Sequence, residues 1–329
     1  PKAVEWYCKA AAQGNAMAQC YMGDCYGAGR GVEQDYKKAA EWYRKSAEQG
    51  YLAAQDWLGY FYRLGRGVEQ DYAMSLEWLR KAADKGRASA QFRMGECFYE
   101  GYGVEKDLAK AVGWYQKAAS QGYAHAQCWL GFCYENGYGV EKDDAKAVEW
   151  YLRAAEQNHA ETQNRLGDRY KNGNGVEKDA SKAAEWYEKS AKLGHVRAML
   201  NIAECYLSGQ GVTENAAKAV KWFRKSAEKG VSGAQFDLGM CFLDGTGVEK
   251  NPAEAAKWFG KAAEQGHAEA QAYIGLCYDQ GLGVEKDADK ANEWIVKAAM
   301  QGHVIAGPCN YQHEGMEAQA AEAFRWYQK

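Results

Sequence analysis

No stretch of this 329-residue sequence approaches the roughly 20 consecutive apolar residues of a membrane-spanning helix. The charge is almost balanced, with Lys+Arg 41 against Asp+Glu 44, and no long block of like charges occurs. The sequence therefore lacks the basic patches that are typical of nucleic-acid-binding arms and of membrane-surface segments. We expect neither nucleic acid nor membrane insertion among its interactions.

Motifs for catalysis, metal binding and cofactor binding are also missing. No Gly-x-Ser-x-Gly elbow occurs, and Asp and Glu are spread over positions that we expect to face solvent. No pair of histidines shows the short spacing of a zinc site. We therefore expect no catalytic residue, no metal site and no cofactor, and we interpret the protein as a non-enzyme.

What the sequence does contain is a 36-residue repeat. Tryptophan recurs with this spacing nine times, and a Gly-x-Gly-Val cluster keeps the same step through eight copies. A phosphate-binding loop follows a strand, whereas these clusters follow helical patterns, so we interpret them as turns. The tryptophans of the series are Trp6, Trp42, Trp78, Trp114, Trp150, Trp186, Trp222, Trp258 and Trp294.

Each period is predicted to form two helices. Helix A runs from about Leu52 to Leu64 in the second full copy and ends at a glycine turn. Asp71 and its counterparts are all Asp or Asn, which predicts an N-cap for helix B. Helix B ends at a glycine in every copy except one, where Asn158 stands and also tolerates a left-handed conformation. We expect small alanines to bring the helices close together and the tryptophan rings to fill the gaps.

The repeat resembles the Sel1-like repeat family, which is related to tetratricopeptide repeats and is common in bacteria. The residues that carry the resemblance are Ala53-Ala54-Gln55, Leu58-Gly59 with Tyr62, Gly65-Arg66-Gly67-Val68, Asp71, and Trp42-Tyr43 with Lys45 and Ala47. The resemblance implies an all-α, right-handed α/α superhelical solenoid of about eight to nine repeats. We predict a single solenoid over 1–329, with 1–14 as helix B of a truncated repeat, 15–302 as eight repeats and 303–329 as a degenerate repeat or cap.

Eight of the ten cysteines follow the repeat, and Cys8 and Cys309 stand apart. Neighbours in one series lie at least a helix pair apart, beyond the reach of a disulfide. The cysteine-rich branch of the family pairs two positions that are Ala47 and Gln55 here. We expect free, buried thiols, which favour a reducing, cytoplasmic compartment. A periplasmic or secreted location stays open, because the native N-terminus is not visible in the sequence.

Function is expected where the copies differ on the concave face of helix A. The later copies are apolar at these positions, and an exposed apolar stripe usually marks a partner site. The alternative is that the curvature of the superhelix buries the same side chains between repeats. The predicted partner-binding residues are Phe92, Tyr99, Phe132, Leu200, Glu204, Leu207, Phe236, Met240, Leu243 and Leu276.

The resemblance implies a scaffold or adaptor that binds a protein or peptide. The specific roles it suggests are a bacterial signalling adaptor, a host-factor binder and an immunity partner of a toxin. The alternative is a small-molecule-binding or β-lactam-processing protein of the cysteine-rich branch, which needs a closed polar pocket. The sequence does not identify the partner.

Overall fold

The computed structural model describes residues 2–302, and these residues form 17 α-helices and no strand. The predicted degenerate repeat at 303–329 and Cys309 lie outside the described residues. The helices are α1 (Lys2–Ala12), α2 (Ala16–Ala28), α3 (Tyr36–Glu48), α4 (Leu52–Leu64), α5 (Tyr72–Asp84), α6 (Ala88–Glu100), α7 (Leu108–Ser120), α8 (Ala124–Asn136), α9 (Asp144–Ala155), α10 (Ala160–Asn172), α11 (Ala180–Lys192), α12 (Val196–Ser208), α13 (Ala216–Glu228), α14 (Ser232–Asp244), α15 (Pro252–Glu264), α16 (Ala268–Gln280) and α17 (Ala288–Met300).

The chain divides into two compact units. Unit 1 comprises residues 1–162 and 174–176, and unit 2 comprises residues 163–173 and 177–329. Within each unit, the even-numbered A helices alternate with the odd-numbered B helices, and consecutive helices pack as repeated pairs. The predicted all-α repeat architecture is confirmed. That the two units continue one solenoid over 1–329 stays a prediction.

The B helices begin where the sequence predicted. The Asp71 side chain accepts a hydrogen bond from the Met74 backbone amide, and this bond satisfies one of the free donors at the start of α5. Asn251 does the same at α15, where Pro252 occupies the first helical position. Asn158 has a φ of 61° and is the only non-glycine residue with positive φ among those described. The predicted stop of α9 is therefore confirmed.

The second glycine of each Gly-x-Gly-Val turn has a packing role that the sequence did not reveal. A Cβ atom on Gly67 would lie 2.0 Å from the backbone oxygen of Tyr36, the first residue of the B helix one repeat earlier. Gly67 also has a φ of 67°, which disfavours any side chain. The turn therefore fixes the contact between successive repeats.

The core contains a different aromatic residue from the one expected. Most of the repeat tryptophans are half-buried, and lysine ammonium groups lie over their rings, as with Lys117 4.1 Å from the Trp114 ring centroid. In most copies the residue after the tryptophan is buried instead: Tyr115 is 0% exposed and Phe259 is 0% exposed. The prediction that the tryptophan rings fill the gaps between the helices is therefore wrong for most copies, with Trp258, at 6% exposed, as the exception. The next position on the helix points more directly at the A helices, where helical glycines such as Gly95 make room for the ring.

Candidate binding site

The structure places the predicted partner-binding residues at different depths. Phe92 is 8% exposed and packs against the rings of Tyr115, Tyr123 and His125. It serves the packing of unit 1 and presents little surface to a partner. Leu207 and Glu204 are exposed, and the remaining predicted residues are half-buried: Tyr99, Phe132, Leu200, Phe236, Met240, Leu243 and Leu276.

In unit 2, five half-buried residues and the exposed Leu207 form an apolar surface on the A helices α12, α14 and α16. We call it the unit 2 A surface and define it by Leu200, Leu207, Phe236, Met240, Leu243 and Leu276. The Phe236 ring stacks on His267 at 5.1 Å and meets Tyr273 edge-on at 5.5 Å. Leu200, Phe236, Met240 and Leu243 pack against the core with one side and keep the other partly accessible. These four side chains are therefore neither fully exposed nor fully buried, and their role in binding a partner stays a prediction.

An acidic residue that the sequence reading missed lies within this surface. Asp237 on α14 is half-buried, and no described residue forms a hydrogen bond or an ion pair with its carboxylate. Burial, together with the carboxylates of Glu204 on α12 and Glu269 on α16, raises the pKa of Asp237 to about 7. The carboxylate thus lies in an apolar and negatively charged environment without a cation.

A buried carboxylate in unit 1, by contrast, has arginine side chains beside it that compensate its negative charge. Asp56 on α4 is 2% exposed. Its side chain accepts hydrogen bonds from Ser89 Oγ at 2.6 Å and from Arg93 Nη1 at 2.8 Å, and Arg87 Nε lies 3.4 Å away. Arg93 holds the repeat position that Asp237 holds in unit 2. The repeat position that holds the cationic Arg93 in unit 1 therefore holds the anionic Asp237 in unit 2.

Unit 1 also contains a small cavity at the C-terminal ends of α4 and α6. Its volume is about 230 Å³. Aromatic rings and charged side chains share its wall, and Tyr99 and Trp129 meet edge-on there with centroids 5.2 Å apart. Phe132 lies next to this pair, with its ring centroid 5.6 Å from that of Trp129. Two of the predicted residues, Tyr99 and Phe132, thus belong to one aromatic cluster.

The buried cysteines and the helix-capping histidines serve the fold. The nine described cysteines are free, and all except Cys8 are buried. Burial raises the pKa of the Cys133 thiol to about 12, so this group stays protonated at neutral pH. His195 and His267 cap the A helices α12 and α16 through Nδ1.

Within residues 2–302, no group of three or more His, Cys, Asp or Glu side chains is arranged to hold a metal ion. No helix there is both long enough and apolar enough to span a membrane.

Comparisons with known proteins agree with this repeat architecture. The family model described as Sel1 repeat matches ten segments, at 1–15, 16–51, 52–86, 88–123, 124–159, 160–195, 196–231, 232–267, 268–303 and 309–329. A protective antigen of uropathogenic Escherichia coli, described as displaying an SLR fold, is 39% identical in sequence. The match covers 98% of this chain and 70% of that one, with a TM-score of 0.82.

A second solved structure is a Sel1 repeat protein from Oxalobacter formigenes. It is 32% identical, and the match covers 98% of this chain and 90% of that one with a TM-score of 0.68. Among curated proteins, none matches this chain. The similarity to these structures extends over nearly the whole sequence.

Proposed function

Because this chain belongs to the Sel1 repeat family, whose members are typically non-catalytic scaffolds for protein interaction, we propose that it binds a protein or peptide on the unit 2 A surface. The observation that carries this proposal is the combination, on three successive A helices, of half-buried apolar side chains with the unpaired carboxylate of Asp237. A partner that covers such a surface removes its apolar side chains from water, which lowers the free energy.

The charges of the unit 2 A surface define the chemistry of the partner. An anion in an apolar environment is unfavourable unless a cation pairs with it. Glu204 and Glu269 lie on the helices at either side and add negative potential. A lysine or arginine of the partner would compensate these carboxylates, as Arg93 compensates Asp56 in unit 1. We therefore propose a partner segment in which a basic side chain is flanked by apolar ones.

The anchors for the apolar part of the segment are Phe236 and Met240. Aromatic residues and methionine are common at the centres of protein interfaces, where they offer much contact area. The Phe236 ring packs against the Phe259 ring with their centroids 5.7 Å apart, so it is held in place before a partner binds. The specific roles that fit such a scaffold are a bacterial signalling adaptor, a host-factor binder and an immunity partner of a toxin.

Selection from random peptides displayed on phage tests this proposal. We expect the selected peptides to share a lysine or arginine between apolar residues, and to lose about tenfold or more in affinity for the double variant Phe236→Asp/Met240→Asp. Asp237→Asn should weaken the same peptides and should spare any peptide that lacks the basic residue. The matched control is Leu193→Asp, which adds a charge at a residue that is 48% exposed and lies outside the surface.

Equal helical content of all variants, measured by circular dichroism, separates loss of binding from loss of fold. Peptides that bind the Phe236→Asp/Met240→Asp variant as tightly as the wild type would place the binding site elsewhere. Selected peptides that are acidic, or that have no charge preference, would contradict the proposed role of Asp237.

A further inference from the structure

The cavity in unit 1 is independent of the unit 2 A surface and has a chemistry of its own. At about 230 Å³ it is smaller than the roughly 300–1,000 Å³ of typical small-molecule pockets, so it suits one side chain or a fragment of similar size. Its aromatic wall includes Tyr99, Tyr102 and Trp129. Flat aromatic walls favour a flat or apolar group between them.

Tyr115 lines this cavity and carries an unusual hydroxyl group. The residue is 0% exposed, and its hydroxyl has no hydrogen-bond partner. In three other repeats the equivalent tyrosine binds a carboxylate of the adjacent A helix. These pairs are Tyr43 with Asp24 at 2.7 Å, Tyr151 with Glu135 at 2.5 Å and Tyr187 with Asp168 at 2.7 Å.

The carboxylate that could bind Tyr115 is engaged by another residue. Glu96 corresponds in repeat position to Asp24 and Asp168, but it accepts a hydrogen bond from Arg63 Nη1 at 2.9 Å. The Arg63 guanidinium is held over the rings of Tyr60 and Tyr102, at 5.1 Å and 5.7 Å from their centroids. Its Nε atom is buried and also has no partner. Two buried donors, the Tyr115 hydroxyl and Arg63 Nε, therefore lack an acceptor at one cavity.

The charges at the cavity select among possible acceptors. Arg63 contributes one positive charge to the wall, and Glu96 and Glu100 contribute two negative charges. The excess of negative charge disfavours a carboxylate ligand. A cationic amidinium group has only donors, so it offers no acceptor to the Tyr115 hydroxyl and Arg63 Nε. A carboxamide is neutral, its oxygen accepts two hydrogen bonds, and its NH₂ group can donate to the two glutamates. Its plane also fits between aromatic rings.

We propose that the unit 1 cavity binds a neutral primary carboxamide carried on an apolar group. Two sources offer this chemistry: a glutamine or asparagine side chain of a bound polypeptide, and a small aromatic or aliphatic amide. In the bound state the carbonyl oxygen accepts from Tyr115 and Arg63, while the ion pair between Arg63 and Glu96 stays intact.

Three probes of nearly equal shape test the proposed charge preference. Benzamide, benzoate and benzamidine share a phenyl ring and carry a neutral, a negative and a positive head group. We expect ligand-observed NMR on the full chain to detect binding of benzamide, with benzoate and benzamidine at least about tenfold weaker, since benzoate meets the excess negative charge of the wall and benzamidine offers no acceptor to the two donors. A preference for benzoate or benzamidine would overturn the proposal, and so would the absence of binding by all three.

A single hydroxyl deletion tests the role of Tyr115. Tyr115→Phe should weaken benzamide by about fivefold to tenfold, the usual effect of losing one hydrogen bond. Phenylalanine stands at the equivalent positions Phe223 and Phe259, so the variant should fold. The control is Tyr187→Phe, whose hydroxyl already binds Asp168, and it should leave benzamide binding unchanged. Equal affinity of wild type and Tyr115→Phe would overturn the assignment.

Two short peptides distinguish the sources of the amide. Acetyl-Gly-Gln-Gly-N-methylamide and acetyl-Gly-Glu-Gly-N-methylamide differ at one side chain and carry no primary amide at their ends, so a preference for the glutamine peptide that Tyr115→Phe abolishes would identify a polypeptide ligand. Binding of benzamide without a difference between the peptides would identify a small amide. A preference for the glutamate peptide would contradict the neutral-ligand proposal.

Discussion

The Asp56 carboxylate on α4 accepts a hydrogen bond from Arg93 Nη1 on α6 at 2.8 Å, and this ion pair joins two successive A helices of unit 1. Asp56 is 2% exposed, and the Arg93 side chain is 14% exposed. The guanidinium also lies over the Tyr60 ring at 4.2 Å. A pair of this kind is costly to break, because the remaining partner keeps its charge in a poorly hydrated place.

We predict that Asp56→Ala destabilises unit 1 by about 3 kcal/mol, since Arg93 is left without its counter-charge. Asp56→Asn should cost less, because the amide oxygen can still accept from Ser89 Oγ. Urea unfolding measures the loss. Amide hydrogen exchange in α4 and α6 locates it, which matters in a repeat protein whose parts can open separately.

The control is Glu77→Ala, which removes an ion pair with Lys81 on the exposed side of α5. We expect a change within about 0.5 kcal/mol, as for most exposed pairs. Similar losses of unfolding free energy for Asp56→Ala and Glu77→Ala would show that burial of the Asp56–Arg93 pair does not determine how much the pair stabilises the fold.

Glycine at two positions of the repeat is predicted to matter for different reasons. Gly50 and Gly67 have φ values of 85° and 67°, but nothing lies within 4 Å of a Cβ atom on Gly50. Gly50→Ala should cost about 1 kcal/mol, from the left-handed backbone alone. Gly67→Ala should cost about 3 kcal/mol or more, because the methyl group would also overlap the Tyr36 carbonyl.

Thermal unfolding of the two variants measures this difference. Gly50→Asn is a useful third variant, since Asn158 takes the same place in another repeat, and it should be close to neutral. Equal losses for Gly50→Ala and Gly67→Ala would show that the turn yields to the methyl group and does not fix the contact between repeats.

The sequence predicted the helix boundaries well because each boundary has its own local signal. Asp71 and Gly65 act through side-chain and backbone preferences that do not depend on distant residues. Burial was harder to predict. Trp114 and Tyr115 are neighbours on one helix, and the facing Gly95 on α6 makes room for the Tyr115 ring, which is a tertiary contact that the repeat spacing does not show.

The candidate site was predicted only in part, for a related reason. Choosing helix-A positions by analogy selected Phe236 and Met240, whose role stays a prediction, and passed over the residue next to Phe236. A signal for it was present: Arg93 and Asp237 occupy the same repeat position with opposite charge. What this change of charge does to the surface depends on which charged residues lie on the adjacent helices, and the repeat spacing alone does not identify those residues.

Thiol reactivity is predicted to separate Cys8 from the buried cysteines. Cys8 is exposed, whereas burial raises the pKa of Cys97 to about 11 and that of Cys20 to about 12. Alkylation proceeds through the thiolate, so at pH 8 iodoacetamide should modify Cys8 in the folded protein and leave the buried thiols unmodified until the chain opens. Peptide mass mapping against time measures the order of modification.

A Cys309→Ser background removes the one cysteine outside the described residues. In that background, a further Cys8→Ser change should leave almost no fast modification. Rapid modification of Cys97 or Cys133 in the folded protein would mean that the A helices open far more often than their burial implies.

The pH dependence of stability should report on Asp237. Its pKa is raised from 3.8 to about 7, so the folded state keeps a proton that the unfolded chain has already released between these values. Stability is therefore lost as the pH rises from about 4 to about 7, with no penalty below that range and the full penalty above it. The groups that face the carboxylate are Glu204 on α12, Glu269 on α16 and the Cys241 thiol on its own helix.

Asp237→Asn removes this titration and should raise stability by about 1–3 kcal/mol at pH 8 while leaving it nearly unchanged at pH 4. Urea unfolding at a series of pH values measures the difference, and Asp244→Asn, at an exposed residue of the same helix, is the control. If wild type and Asp237→Asn lose stability in parallel between pH 4 and pH 8, the carboxylate is well hydrated in the free protein. A partner would then gain little by bringing it a cation, so this result would also weaken the proposed basic segment.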